Sequence, residues 1–238
     1  MTYIQAHNLV VDFPVYGAAS RSLKNAILHS ATGGGLAKDS RDRVVVRALD
    51  GLNFKITEGD RVGLLGHNGS GKTTLLRVLA GGYEPVSGVL DMHGSVASML
   101  SIALGMDHDA TGYENITTMC AIMGMDHKRI GELVPKIAEF TELGEYLLMP
   151  LRIYSSGMVM RIPFAVATAV KADIVLMDEW MSVGDAAFAE KAQKRLNELL
   201  GAAKILVIAS HSRQLLEANC NRIFHLEHGC LVREERLY

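Results

Sequence analysis

Residues 66–73, Gly66-His67-Asn68-Gly69-Ser70-Gly71-Lys72-Thr73, follow the spacing G-x-x-x-x-G-K-[ST], a pattern suited to holding the phosphates of a nucleotide. Glycines let the backbone curl until successive N–H groups point inward, and a helix starting there adds the positive end of its dipole. Lys72 can then reach the β- and γ-phosphates, Thr73 offers a hydroxyl to Mg²⁺, and Thr74 continues the helix start. A plain Gly-rich turn would carry the same glycines, so the flanks matter. Arg61-Val62-Gly63-Leu64-Leu65 reads as a buried strand, and Thr74 to Ala80 as a helix with an apolar face. That strand–loop–helix context is the one a phosphate loop requires.

A second candidate is Ile174-Val175-Leu176-Met177-Asp178-Glu179. A buried apolar strand ending in Asp178 puts a carboxylate at the end of a sheet where Mg²⁺ can sit, directly or through water. Glu179, one residue on, can orient and deprotonate a water; general bases contribute about 10²- to 10⁴-fold in rate. The third is Tyr154-Ser155-Ser156-Gly157-Met158, which opens a helix running through Arg161 toward Val170, with free N–H groups for an anion. The fourth is His211, at the end of the apolar strand Lys204 to Ala209. Each has a bland equivalent when taken alone: a solvated strand end, a serine N-cap, a strand-end histidine.

The elements that must position these residues alternate between two characters. Ile4 to Phe13 and Val44 to Ile56 read as strands, and Ile223–Leu226 with Leu231–Arg233 as a closing hairpin around His228-Gly229. Phe188 to Leu200 reads as a helix stopped by Gly201. Between them, Thr111-x-x-Glu114 forms a capping box before Ile116, Met119 and Ile122, and Asp126 opens a helix with Ile130, Leu133, Val134 and Ile137 on one face. That stretch has helical period and few strand signals, so it reads as a helical subdomain inserted in an α/β core. Gly17 to Arg43, centred on Gly33-Gly34-Gly35, reads as a flexible excursion, with Leu23, Ala26 and Ile27 on one face of a short helix.

The chain has 238 residues, enough for one well-cored domain with a subdomain. Its net charge of −2 carries no basic footprint for nucleic acid, so no nucleic-acid partner is expected. Cys120, Cys220 and Cys230 lie far apart and suit a reducing compartment. No apolar run reaches the length of a membrane span, and the first residues lack signal-peptide blocks. A cytoplasmic protein is expected; at a membrane, another subunit must do the spanning.

It is the order of the motifs that discriminates: phosphate loop, helical insert, S-S-G helix start, strand-Asp-Glu, Ser182-Val183-Gly184-Asp185, then Ser210-His211. The whole chain resembles the nucleotide-binding subunit of an ATP-binding cassette (ABC) transporter. The resemblance implies a P-loop NTPase fold, with a RecA-like core at about 1–94 and 165–238 and the helical subdomain at about 95–164. It implies ATP and Mg²⁺ as ligands, with Thr73 and Asp178 on the metal, and Glu179 and His211 as catalytic residues. Two cassettes would pack head to tail, so that Ser155, Ser156, Gly157 and Met158 of one chain face the γ-phosphate held by the other. Asp185 would link the two sites. Tyr16, with Phe13 as alternative, would stack on adenine.

Finer strings resemble the branch that exports bacterial surface polysaccharide, most nearly the O-antigen type, beside teichoic acid and capsule exporters. They are Tyr154-Ser155-Ser156-Gly157-Met158 with Arg161, Leu104-Gly105-Met106 before Thr111-Gly112-Tyr113-Glu114-Asn115-Ile116, Asp178 through Phe188, Ser210-His211-Ser212, and Phe13-Pro14-Val15-Tyr16 with Arg21-Ser22-Leu23-Lys24 downstream. This implies a homodimer under two copies of a permease, at the cytoplasmic face of the inner membrane, moving a lipid-linked glycan. The departures are specific. Ser101 stands near the place of the usual glutamine, and Pro163 falls two turns into the signature helix. With no carbohydrate-binding domain expected after the cassette, glycan selection is expected to fall to the permease. A drug or lipid exporter, a soluble ABC ATPase and a non-hydrolysing nucleotide module are the alternative functions.

Overall fold

The structure, a computed structural model, describes residues 1–15, 35–38, 44–100, 105–179 and 186–237, with backbone alone at 35–38 and 186–187. Tyr16, Ser101, Leu104, Asp185 and the short helix expected around Leu23 lie outside the described residues. The chain divides into two compact units, Met1–Val96 with Asp173–Glu179 and Lys204–Tyr238, and Ala97–Ala172 with Trp180–Ala203.

Among the described residues, the strands of the first unit fall in two sheets. In the smaller one, β1 (Tyr3–Pro14) lies between β3 (Val44–Thr57) and β5 (Ser87–His93), antiparallel to both, and β2 (Gly35–Lys38) pairs with the far side of β3. The alternation of apolar and polar residues along β3 buries Val45, Leu49, Leu52, Phe54 and Ile56. In the larger sheet β4 (Arg61–Leu65) runs parallel to β8 (Ile205–Ser210) on one side and to β9 (Arg222–Glu227) on the other. Next, β7 (Ile174–Asp178) runs parallel to β8, and β10 (Cys230–Arg236) turns back against β9. The expected hairpin is present, and its turn residues His228 and Gly229 both have positive φ, 48° and 82°. Near-continuous apolar runs in β4, β7 and β8 are what strands covered on both faces require, and Val62, Leu64, Val175, Leu176, Val207 and Ile208 are at most 1% exposed.

Parallel pairing decides where the chemistry lies. Register sets Leu65 beside Ser210 and His225, and Asp178 beside Ala209. The residues following β4, β7 and β8 therefore leave the sheet at its carboxyl edge, where open α/β sheets take their ligands. Among the described residues of this unit, α1 (Lys72–Leu79) follows β4 and α6 (Arg213–Asn219) follows β8.

The second unit begins within β6 (Val96–Met99). Among its described residues are α2 (Gly112–Ile122), α3 (His127–Thr141), 3₁₀ stretches at Gly144–Leu148 and Leu151–Ile153, α4 (Ser156–Ala167) and α5 (Ala186–Ala202). Ile116, Cys120, Ile137, Leu147, Ile162 and Val166 share its core. The capping box forms at Thr111 and Glu114, and Asp126 caps α3 through the Arg129 N–H at 2.8 Å. Buried Asn115 ties the preceding loop by bonding Asp107 and the carbonyls of Ala110 and Thr111.

Some boundaries differ from expectation. Residues 165–172 and 180–203 go with the helical unit, because Ala165 and Val166 pack into its core and Phe188 meets Phe140 and Phe164 edge-on. Gly201 does not stop α5, which continues to Ala202, and α4 ends at Ala167 short of Val170. Prolines 135 and 163 both sit inside helices, where each lacks the N–H of one backbone bond. Pro163 is buried, so packing supplies what the missing bond does not.

Candidate functional site

The phosphate loop leaves β4 at Leu65 and is shaped by steric necessity. A Cβ on Gly66 would come within 2.3 Å of the Leu226 carbonyl and 2.5 Å of Ser70 Oγ. Gly71 has φ +104°, and a Cβ there would stand 2.9 Å from the Ala48 carbonyl. Only glycine meets both demands at Gly71. Gly71 is the N-cap of α1 and offers no side-chain cap, so the first-turn N–H groups are left for an anion. Ser70 Oγ is buried beneath the loop and, among the described residues, makes no hydrogen bond.

Lys72 folds back over this loop. Its Nζ donates to the carbonyls of Gly66 at 2.7 Å and His67 at 3.0 Å. Burial draws the ammonium below its usual range, while the carboxylates of Asp178 and Glu179 pull the other way. Thr73 and Asp178, far apart in sequence, meet directly: Thr73 Oγ1 donates to Asp178 Oδ2 at 2.7 Å. Two hard oxygens beside a phosphate loop are the donor set Mg²⁺ takes, since it keeps several waters and adds one or two protein oxygens to those of the phosphates. The residues present therefore fit the metal.

Glu179 continues from Asp178 in the left-handed region, with φ 67°, a sparsely populated conformation for a residue with a side chain. Its N–H donates to the Ala209 carbonyl at 2.8 Å, which extends the β7–β8 ladder by one residue. Its Oε1 lies 2.8 Å from His211 Nδ1, and both side chains are exposed. A carboxylate only accepts, so Nδ1 carries the proton and Nε2 is left for another partner. Phosphate loop, Asp178, Glu179 and His211 thus assemble on one sheet edge within one unit.

The signature residues belong to the other unit. Ser155 is the N-cap of α4, its Oγ accepting from the Met158 N–H at 3.3 Å, with Ser156 and Gly157 in the first turn. Phe13, the alternative adenine-stacking residue, packs its ring edge-on to Tyr83 at 5.1 Å.

One support went unread in the sequence. The β9–β10 turn lies against the phosphate loop: Gly229 N–H donates to the Ser70 carbonyl at 3.1 Å, and the Gly229 carbonyl accepts from Asp50 N–H at 2.9 Å. The rings of His228 and His67 are 5.1 Å apart. The turn itself was legible from His228-Gly229, but not what it touches.

The sequence profile described as "ABC transporter" matches residues 49–182, which span the phosphate loop, the signature and Asp178-Glu179. The chain belongs to the ABC transporter family. As a member it is an ABC-type ATPase. It is 45% identical over 234 residues to the O-antigen export system ATP-binding protein RfbE of Yersinia enterocolitica, covering 98% of each chain. It is 38% identical over 182 residues to the teichoic acids export ATP-binding protein TagH of Listeria innocua, covering 76% of this chain and 54% of that one. Among solved structures, a dimeric ATP-binding cassette in a post-hydrolysis state with ADP and Pi superposes with a TM-score of 0.68 over 99% of both chains. At 19% identity that likeness speaks for the cassette fold alone.

Proposed function

We propose that this chain is the ATP-hydrolysing subunit of an exporter that moves a lipid-linked surface polysaccharide through a separate permease at the cytoplasmic face of the inner membrane. The observation that carries the hydrolytic part is the pairing of Glu179 with His211 beside the Thr73–Asp178 contact. Lys72 would exchange its loop carbonyls for the β- and γ-phosphates, with the first-turn N–H groups of α1 around them. Thr73 and Asp178 would hold Mg²⁺, which offsets charge on the phosphates. Glu179 takes the proton of the attacking water, and the Nδ1–H of His211 keeps the carboxylate aimed. Doubly protonated, the same ring would also donate from Nε2–H to the γ-phosphate.

The polysaccharide cargo is supported by what the relatives from Yersinia and Listeria are named for. Among the described residues no helix is long and apolar enough to cross a membrane, which agrees with a spanning partner. A homodimer with Ser155, Ser156, Gly157 and Met158 completing the partner's site, and with Asp185 between sites, is the arrangement that gives the exposed S-S-G helix start a ligand. ATP bridging two chains favours the closed dimer, and hydrolysis removes the bridge.

The test is Glu179→Gln in the full chain. It should abolish turnover, retain ATP and run as a dimer in light scattering; normal turnover refutes Glu179 as base. Mixing Lys72→Ala with Ser155→Ala chains tests the shared site, since one of the two sites in a mixed dimer then carries both lesions and the other neither. Loss of the gene should strand lipid-linked glycan inside the cell. An unchanged surface glycan with altered drug or lipid export would redirect the cargo assignment.

A further inference from the structure

Behind His211 lies a group of charged side chains that hydrolysis as described does not use. β8 ends at Ser210, and only His211 and Ser212 separate it from α6, which begins at Arg213. This link is short and closed on itself. Ser212 N–H donates to Ser210 Oγ at 3.0 Å, and Ser212 Oγ caps α6 by accepting from Leu215 N–H at 3.4 Å. The direction in which His211 leaves the sheet is therefore tied to the pose of the first turn of α6.

That helix rests on the sheet through Leu216, which lies against Gly63 of β4. Of its seven residues only Leu216 is buried. Arg213 supplies the anchor. Its Nη2 donates to Glu235 Oε1 on β10 at 2.7 Å, and the other oxygen of Glu235 is held by His225 Nε2 at 3.0 Å. The side chains of Glu235 and His225 are only 18% and 20% exposed, so the acceptor end is shielded from water. Arg213 also donates through Nε to Glu217 at 2.7 Å, but that pair stays within one helix at i,i+4 with both partners exposed, and contributes little. A charge-assisted bond across to another strand is stronger and directional.

We infer that Arg213 and Glu235 are positioning residues for the hydrolysis step, which hold the start of α6 so that His211 meets Glu179 at hydrogen-bond distance. The inference rests on the proposed role of His211, and His211→Ala is therefore the reference variant. Geometry at this point has leverage, because a 1 Å misplacement can cost about 10²-fold in rate.

The test uses steady-state ATPase kinetics of the full chain. Arg213→Gln and Glu235→Gln should each lower kcat about tenfold while KM for ATP moves less than about twofold, and the double variant should be no worse than either single one. Glu217→Gln should stay within about twofold of the parent. In ¹⁵N-histidine spectra the His211 ring resonance, assigned by its loss in His211→Ala, should shift in both single variants and not in Glu217→Gln. Wild-type kcat in Arg213→Gln and Glu235→Gln, or losses that multiply in the double variant, overturn the inference. So do lowered melting temperatures with unchanged kcat. Full turnover in His211→Ala instead overturns the role of His211 itself. If Arg213→Gln does not fold, Glu235→Gln with its ring spectrum decides alone.

Discussion

Gly229→Ala puts a methyl group where the β9–β10 turn meets the phosphate loop, and its cost can be worked from the structure. The left-handed φ of 82° costs a side-chain-bearing residue about 1–2 kcal/mol. The added Cβ would stand 2.7 Å from the Ala48 carbonyl, a backbone atom that cannot swing aside. Overpacking of this kind typically costs about 1–3 kcal/mol. Relief requires the turn to move off β3, which stretches the Gly229 N–H bond to Ser70, a contribution of about 0.5–1.5 kcal/mol. A total of about 2.5–6.5 kcal/mol is expected in unfolding free energy. If about 1.4 kcal/mol of it is expressed as a displaced loop, ATP affinity falls tenfold. Gly59→Ala is the matched control, since Gly59 has φ +93° but nothing within 4 Å of an added Cβ. It should lose about 1–2 kcal/mol of stability and no affinity. Denaturant unfolding and fluorescent-nucleotide titration read the two quantities. Native ATP affinity in Gly229→Ala, alongside the lowered stability, would refute the turn as a brace.

Lys72→Ala should weaken nucleotide binding by at least tenfold, because the β- and γ-phosphates lose their ammonium donor; isothermal titration with ATP in Glu179→Gln and in Glu179→Gln/Lys72→Ala reads it. Asp173 accepts from Lys204 Nζ at 2.8 Å and from the N–H and hydroxyl of Ser95, which hold its carboxyl far below the usual carboxylate range. A depressed folded-state pKa means stability present above about pH 4 and lost as pH falls toward the folded value. Denaturation midpoints of the parent and Asp173→Asn should therefore differ steadily from pH 7 to 5 and converge below pH 4. Burial pushes the Cys220 thiol up to about 12 and raises that of buried Cys120, so a thiol reagent at pH 8 should label half-buried Cys230 first, as peptide mapping would report.

Local order was largely readable along the chain, for local reasons. A capping box, an Asp N-cap, apolar runs of strand length and a His-Gly turn each depend on residues a few positions apart, and Thr111, Asp126, β4, β7, β8 and the closing hairpin fall where those signals stand. Gly201, read as the stop of α5, is exposed and is followed by one more helical residue, since helix ends fray over a residue or two. Pro163 lies inside α4 as read, buried, where packing offsets a propensity cost of about 3 kcal/mol. The same packing assigned 165–172 and 180–203 to the helical unit.

By itself the sequence determined which residue types could grip phosphate and activate water, and their order identified the family resemblance. What only the tertiary structure decided is which of them touch. Thr73 and Asp178 are 105 residues apart, and Glu179 and His211 are 32 apart. They meet because β4, β7 and β8 run parallel in one register, and register is settled by burial of whole strands rather than by any nearby residue. Gly229 under the phosphate loop and Glu235 behind His211 have the same origin. Side-chain chemistry is written locally, whereas proximity is a property of the packed sheet.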